Sequence, residues 1–373
     1  MYRKIRKKLR KFFRKSNHRF FVRRSFKRRL KLLTAAVCGM MRKQSSSMAA
    51  LGYGLPQVIT AHSREKTMKR FVENEWIDYE TYYMPIIKKV LRDIFKIKPH
   101  LNEVHLVIDG SKMGSSHMSL KISLWFRGRG IPLVWQVVKK PKGHFKAQTH
   151  LDLFERLREL LAPYLTDGRT VIFMGDGEFD TTVLQDGCED EGWKYVFRTA
   201  CDTVFHEDGS RFQPKDLQVP AGQKMLFVAD TEFSEKRRKH VNFVLWHDEK
   251  YEEALPLISN LDEPIDITEA YAKRYSIEGM FKDLKSTTFN LHKTRLTKAY
   301  SISNLIMIAA IALLLTIMIG CKYEKSKLRP YINRIRADRT VNTMVTYGRD
   351  FIDYCLDHDI KFSFSYKFSM NSP

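Results

Sequence analysis

The chain has 373 residues, of which 43% are hydrophobic, so it is long and apolar enough for two or three folded domains and is not an intrinsically disordered protein. Its net charge of +23 is unevenly spread, because the first 64 residues hold 19 Lys and Arg and no acid, while the remainder is close to balance. Clustered basic residues are typical of proteins that bind a polyanion, either a nucleic acid or an anionic membrane surface.

The cysteines and the N-terminal segment indicate the cellular compartment. The five cysteines are scattered and form no CxxC pair, which argues against a disulfide scaffold and against a structural zinc site. The N-terminus lacks the uninterrupted apolar run of a secretory signal. These features favour a reducing cytoplasm.

The N-terminal region, residues 1–98, is predicted to be a small all-α domain. Its first 43 residues interleave basic clusters with Phe and Leu, and Phe26, Leu30 and Leu33 recur at helical spacing. The basic residues predict a region that contacts DNA, with a solvated tail or a helix on a membrane surface as alternatives. A purely structural helical bundle also fits the pattern.

After Pro99 the pattern changes to short apolar and β-branched runs separated by glycine-containing connections. The order of elements is β-β-β-α-β-α-β, which is the topology of an RNase H-like nuclease core with a mixed sheet. The predicted strands cover residues 104–109, 118–126, 131–138, 170–176 and 193–199. We therefore predict an α/β catalytic core over residues 99–321, interrupted at about 200–260 by an inserted β-rich subdomain.

No charged residue lies between Lys298 and Lys322, and the apolar run LIMIAAIALLLTIMIG inside this segment approaches a membrane span in length. A buried core helix is the preferred interpretation, because the segment follows a polar helix directly, and a membrane span is the alternative. Residues 322–373 are predicted to form a C-terminal helical region.

Two carboxylates stand at the ends of predicted strands. Asp109 follows the apolar run LVI, and Asp176 follows VIFM. In an RNase H-like sheet these two strands are neighbours, so their carboxyl ends are expected to bring the two acids together. Glu178 and Asp180 are rivals for the second position, although they fall beyond the strand and are expected to cap the next helix.

A polar stripe runs along the predicted helix that follows the β-rich stretch. At about 100° per residue, its side chains fall within roughly 60° of one another. The stripe consists of Tyr271, Arg274, Glu278 and Lys285. A salt-bridge ladder on a surface helix is the simplest explanation of such a stripe, and a row of functional groups facing the sheet is the alternative.

The acids give the stripe a chemical role. Paired carboxylates suit Mg²⁺ or Mn²⁺, which take oxygen ligands and keep waters for a substrate phosphate. Phosphodiester chemistry with two ions calls for a third acid, and Glu278 can supply it from a helix packed on the sheet. Arg274 and Lys285 would then face phosphates, and Tyr271 would stack on a base or bond a phosphate.

With these residues the sequence resembles the DDE transposases of bacterial insertion sequences, in the IS-four-like branch with the signature Tyr-x2-Arg-x3-Glu-x6-Lys. Every spacing of that signature is kept, and the resemblance extends to LVIDGS, MGDGEFD, the β-rich insertion and the apolar helix. It implies a metal-binding triad of Asp109, Asp176 and Glu278. One departure is the second aspartate, which is more often followed by Arg-Gly-Phe than by the Gly-Glu-Phe found here.

The resemblance also implies the activity and the partners. The expected function is cut-and-paste transposition, in which the phosphodiester at the end of the element is cleaved and the free 3′-OH attacks the opposite strand or target DNA. Tyr271, Arg274 and Lys285 would contact DNA at the terminal inverted repeats, and a homodimer would act on paired ends in the cytoplasm, associated with the nucleoid. The alternatives are an inactive DNA-binding descendant, a nuclease without strand transfer and a membrane-associated protein.

Overall fold

The computed structural model describes most of the chain as helices packed around one large sheet. The described residues are 1–14, 23–97, 102–165, 168–220, 222–236, 238–248, 252–282, 289–333 and 343–364.

The N-terminal region is helical, and its two basic helices are packed into the fold by their apolar faces. Its helices are α1 (Tyr2–Arg14), α2 (Arg24–Lys43), α3 (Met48–Gly52), α4 (Ala61–Val72), α5 (Tyr79–Tyr82) and α6 (Met84–Ile97). Phe13 meets Phe26 edge-on, with ring centroids 5.5 Å apart, and Phe26 stacks on Tyr82 at 5.4 Å. Burying these rings turns the basic side chains of both helices outward.

The sheet contains the predicted order of elements. Its first strands and the helices between them are β1 (Glu103–Met113), β2 (His117–Phe126), β3 (Arg129–Lys139), α7 (Ala147–Leu161), β4 (Thr170–Gly175), α8 (Thr182–Asp190) and β5 (Lys194–Arg198). The strand β1 pairs antiparallel with β2 and parallel with β4, and β4 pairs parallel with β5. The mixed sheet and the β-β-β-α-β-α-β order are therefore as the sequence predicted.

The β-rich stretch at about 200–260 extends this same sheet. Its strands are β6 (Phe205–Glu207), β7 (Ser210–Phe212), β8 (Met225–Phe233), β9 (Lys239–Trp246) and β10 (Leu255–Ser259). The strand β10 pairs antiparallel with β5, which makes the order across the sheet β3-β2-β1-β4-β5-β10-β9-β8-β6-β7. The pairing satisfies the outer edge of β5, so the added strands continue the sheet past β5.

Helices cover both faces of the sheet. On one face α7 packs through Phe154, whose ring meets that of Phe173 on β4 at 5.6 Å. The other face carries α9 (Pro264–Lys282), which contacts β1 to β5. Side chains alternate along a strand, so Asp176, three residues after Phe173, is directed to the face that α9 covers.

The apolar segment forms a buried helix, α10 (Ala299–Tyr323). Within the described residues it is the one helix long and apolar enough to cross a membrane, but 94% of its most apolar window is buried inside the protein. It packs against α2, β3 and the C-terminal helix α12 (Met344–Asp357), which follows the short α11 (Arg329–Ile332). The segment therefore takes the place of a core helix, which the sequence favoured.

The crossing of α10 and α12 is unusually close because glycine stands on both helices. A Cβ atom on Gly320 would lie 2.1 Å from the backbone oxygen of Met344, and one on Gly348 would lie 2.2 Å from that of Thr316. No side chain fits at either position without moving a backbone.

Candidate active site

Asp109 lies within β1, and Asp176 directly follows the adjacent strand β4. In the parallel pairing of β1 and β4, Val107 is opposite Met174, and two further residues along each strand lead to the two acids. The prediction that these strands are neighbours is confirmed. The prediction that Asp109 ends its strand is wrong, because β1 continues to Met113 in its antiparallel pairing with β2.

The environment of Asp109 disfavours its ionised form. The pKa of Asp109 is raised to about 6, chiefly by burial and also by the nearby Asp176 carboxylate, while Arg274, the Gly110 N–H and Lys121 act in the opposite direction. The backbone N–H of Gly110 donates a 2.6 Å hydrogen bond to Asp109 Oδ1. Asp109 is therefore a carboxylate that a further cation would favour in its charged form.

Arg274 connects α9 to the second acid. Its Nη2 lies 3.1 Å from Asp176 Oδ2, and its side chain is 8% exposed against 36% for Asp176. Lys273, the preceding residue, places its Nζ 2.8 Å from His105 Nε2 on β1. These two contacts join the middle of α9 to β1 near its start and to the turn that follows β4.

The four residues of the stripe have different positions. Tyr271 is 1% exposed, and the Arg274 guanidinium carbon lies 5.6 Å from the centre of its ring. Glu278 belongs to α9, but its side chain lies outside the described residues, as does the whole of Lys285. The structure thus brings together Asp109, Asp176 and Arg274, and the roles of Glu278 and Lys285 stay predictions.

Lys121 is a member of this site that the sequence reasoning missed. It is opposite Asp109 in the pairing of β1 and β2, is 0% exposed, and donates from Nζ to Ser111 Oγ at 2.8 Å. Residues opposite each other on paired strands point to the same face, so a buried cation stands beside Asp109. The available signal was a lysine in the middle of the apolar run MSLKISLWF, because an uncompensated lysine is rarely buried.

Glu178 and Asp180, the two alternatives to Asp176, form hydrogen bonds with neighbouring loops. Asp180 accepts a 2.7 Å hydrogen bond from Thr199 Oγ1, and burial raises its pKa to about 6. Glu178 accepts a hydrogen bond from the backbone N–H of Phe145. Both side chains are therefore engaged within the loops around Asp176.

The donor set suits a hard divalent cation. Among the described residues, which leave out the side chain of Glu278, no group of three or more His, Cys, Asp or Glu side chains is arranged to hold a metal ion. The described part supplies two carboxylates, one of them with a raised pKa. Oxygen ligands of this kind are those that Mg²⁺ and Mn²⁺ prefer.

Comparison with protein families decides which class of protein this is. The family described as the transposase DDE domain matches residues 98–315. The chain belongs to this family. Membership implies the RNase H-like fold, and it supports transposase or nuclease activity on DNA.

Solved structures similar to this transposase domain are distant. Argonaute from Marinitoga piezophila, in complex with guide RNA and target DNA, is 11% identical with a TM-score of 0.25, over 56% of this chain and 29% of that chain. Endonuclease V from Ciona intestinalis, in complex with a 23mer DNA containing an inosine, is 10% identical with a TM-score of 0.25. The match covers 62% of this chain and 99% of that chain. This chain thus spans less than a third of the length of the Argonaute. No curated protein matches the chain.

Proposed function

We propose that this protein is a cut-and-paste transposase of the IS-four-like branch, which cleaves DNA at the ends of its element and joins the free 3′-OH to target DNA. The observation that supports this most is the placement of Asp109 on β1 and of Asp176 directly after the adjacent strand β4, with Arg274 of α9 against Asp176. The match to the transposase family covers the same residues.

The roles of the site residues follow from their chemistry. Asp109, Asp176 and Glu278 would hold the catalytic ions, two Mg²⁺ or Mn²⁺, whose contribution when bound is to stabilise charge on the phosphoryl oxygens. Burial around Asp109 keeps water away from the reacting phosphate and strengthens each electrostatic contact there. Arg274 supports Asp176 and, with Lys285 and Tyr271, is proposed to contact DNA at the terminal inverted repeats.

The helical region 1–98 is proposed to bind DNA through a basic groove. The groove has a volume of about 1100 Å³ and lies between α1, α2 and α4. Its lining contains no acid and includes Arg6, Arg10, Arg24, Lys27, Arg28, Lys31 and Arg70. Neutralising DNA phosphates in such a groove releases counterions and supplies salt-dependent affinity.

The remaining parts of the proposal rest on the resemblance. Residues 99–321 would carry out catalysis and residues 322–373 would form a C-terminal helical region. The enzyme would act in the cytoplasm on nucleoid DNA, as a homodimer that brings two element ends together and then engages target DNA.

The test uses DNA flanking the gene as a labelled substrate, with Mg²⁺ or Mn²⁺, and compares the wild-type protein with Asp176→Asn and Glu278→Gln. We expect the wild type to cut at fixed positions and to join those ends to a second DNA, and both variants to bind without cutting. Cutting without joining would identify a nuclease. Binding without cutting by every form of the protein would identify an inactive descendant.

A further inference from the structure

A short basic loop begins at the last residue of β3 and leads to α7. Residues 139–146, with the sequence KKPKGHFK, contain four lysines and a histidine and no acid. Lys142 and Lys146 are exposed and form no ion pair with any carboxylate that the structure describes. Like charges at this density repel one another, so the loop needs contacts elsewhere to hold one conformation.

The first of these contacts is apolar and reaches β1. Phe145 is 7% exposed, although its neighbours in the loop are open to solvent. Its ring lies against Gly110, where an added Cβ atom would come within 2.7 Å of Phe145 Cε2. Gly110 directly follows Asp109, so the loop is anchored one residue from the first catalytic acid.

The second contact is polar and reaches the turn after β4. Glu178, which is 16% exposed, accepts a hydrogen bond from the Phe145 N–H, and its other oxygen lies 3.8 Å from His144 Nδ1. The backbone N–H of Glu178 donates to Asp176 Oδ1 at 3.2 Å. One carboxylate therefore joins the basic loop to the turn that carries the second catalytic acid.

We propose that loop 139–146 contacts the phosphodiester backbone of DNA beside Asp109 and Asp176, and that Glu178 is the positioning residue that holds it there. The inference rests on the proposed function, since it assumes DNA as the substrate. Two anchors fix the loop that carries the exposed Lys142 and Lys146 near Asp109 and Asp176. A DNA phosphate beside the loop would supply a counter-charge for Lys142 and Lys146, which have no carboxylate partner among the described residues.

The first experiment measures duplex DNA binding by the full-length protein in EDTA, as the slope of log K against log salt concentration. The variant Lys142→Gln/Lys146→Gln should have a slope shallower by about 1.8, because each lost phosphate contact removes about 0.9. Its control is Lys215→Gln/Lys236→Gln, which removes the same charge from exposed positions around β6 to β8. The proposal is overturned if the loop variant keeps the wild-type slope or if the control loses as much.

The second experiment tests the role of Glu178 without touching a lysine. Glu178→Ala removes the acceptor of the Phe145 N–H and should give the same loss of slope as the lysine variant, whereas Glu178→Gln keeps an acceptor oxygen and should keep the slope. Combining Glu178→Ala with the lysine variant should add nothing, because both remove the same contacts. Additive losses, or an unchanged slope in Glu178→Ala, would overturn the positioning role.

Binding in EDTA separates this inference from the proposed function. If the wild type cuts and joins DNA but the loop variant keeps the wild-type slope, the transposase function stands and the loop contact is refuted. If the wild type never cuts DNA but the loop variant has a shallower slope of log K against log salt concentration, the loop contact stands and the proposed activity is refuted. Thermal unfolding of each variant shows whether it is folded.

Discussion

At the scale of single residues, the site is built around a carboxylate in an unfavourable position. Asp109 is largely removed from water beside a second acid, and Arg274, Lys121 and the Gly110 N–H offset part of the cost. Functional sites commonly accept such a cost, since the group must bind a cation or proton in the working state. Substitution of this residue therefore tests both the stability and the chemistry of the site.

Asp109→Asn should be more stable than the wild type in EDTA at pH 7, by up to about 3 kcal/mol in the free energy of unfolding, and should therefore unfold at a higher temperature. The folded pKa of Asp109 is about 6 and its ordinary value is 3.8, so the folded state binds the proton more tightly. Wild-type stability then falls as the pH rises from about 4 to about 6. The advantage of the variant should be full above that window and absent below it.

Addition of Mg²⁺ completes the measurement of Asp109. Ions that bind only the folded state should raise the unfolding temperature of the wild type and leave that of Asp109→Asn almost unchanged. An equal rise in both proteins would show that Asp109 does not hold the metal.

The candidate acids could be predicted from the sequence, whereas the residues that form hydrogen bonds with them could not. Asp109 and Asp176 stand out because each follows an apolar strand-like run, a pattern confined to a few neighbouring residues. The bond between Phe145 and Glu178 joins positions 33 residues apart, and its existence depends on how a loop folds back on the sheet. The same holds for Arg274 and Asp176, which are 98 residues apart.

At the scale of elements, the close crossing of α10 and α12 requires glycine, which has no side chain, at the point of contact. The two helices meet with glycine on each, and each glycine faces a backbone oxygen of the other helix. A backbone cannot rotate away as a flexible side chain can, so even one methyl group must separate the helices.

Gly348→Ala should therefore destabilise the protein, by about 1–3 kcal/mol, measured by denaturant or thermal unfolding. Gly187→Ala in α8 is the matched control, because the same methyl group would there lie 3.3 Å from the edge of the Phe154 ring. Alanine favours a helix over glycine by roughly 1 kcal/mol, so the control should be neutral or slightly stabilising. Equal stability of the two variants would contradict the close packing of α10 on α12.

The order of the core elements followed from periodicity, but their extents did not. Alternation and buried runs identified β1 to β5 because each strand buries at least one apolar face. The extension of β1 beyond Asp109 depends on its hairpin with β2, and the joining of β10 to β5 depends on pairing across the chain. Neither pairing is encoded in the local pattern.

At the scale of the whole molecule, the basic residues that cluster near the start of the chain also cluster in the fold. The basic helices α1 and α2 are held by aromatic packing, so their cations line one groove instead of dispersing. This arrangement costs stability through repulsion, and binding of a polyanion relieves it.

Replacing three cations of the groove should weaken DNA binding and make it less dependent on salt. Arg24→Gln/Lys27→Gln/Arg70→Gln removes exposed charges from α2 and α4, and we expect the slope of log K against log salt to become shallower by up to about 2.7. Lys215→Gln/Lys224→Gln/Lys236→Gln removes the same charge at the far end of the sheet and should leave the slope unchanged. Equal losses would show that net charge, and not the groove, attracts DNA.

The burial of α10 has a consequence for synthesis of the protein. Residues 299–323 leave the ribosome after α2 and β3, yet they cover the apolar surfaces of both. A nonsense or frameshift mutation upstream of Ala299 would leave those surfaces bare, and exposed apolar surface of this kind leads to aggregation. Truncated copies of the gene should therefore yield insoluble chains that are degraded, and not soluble DNA-binding fragments that compete with the intact protein.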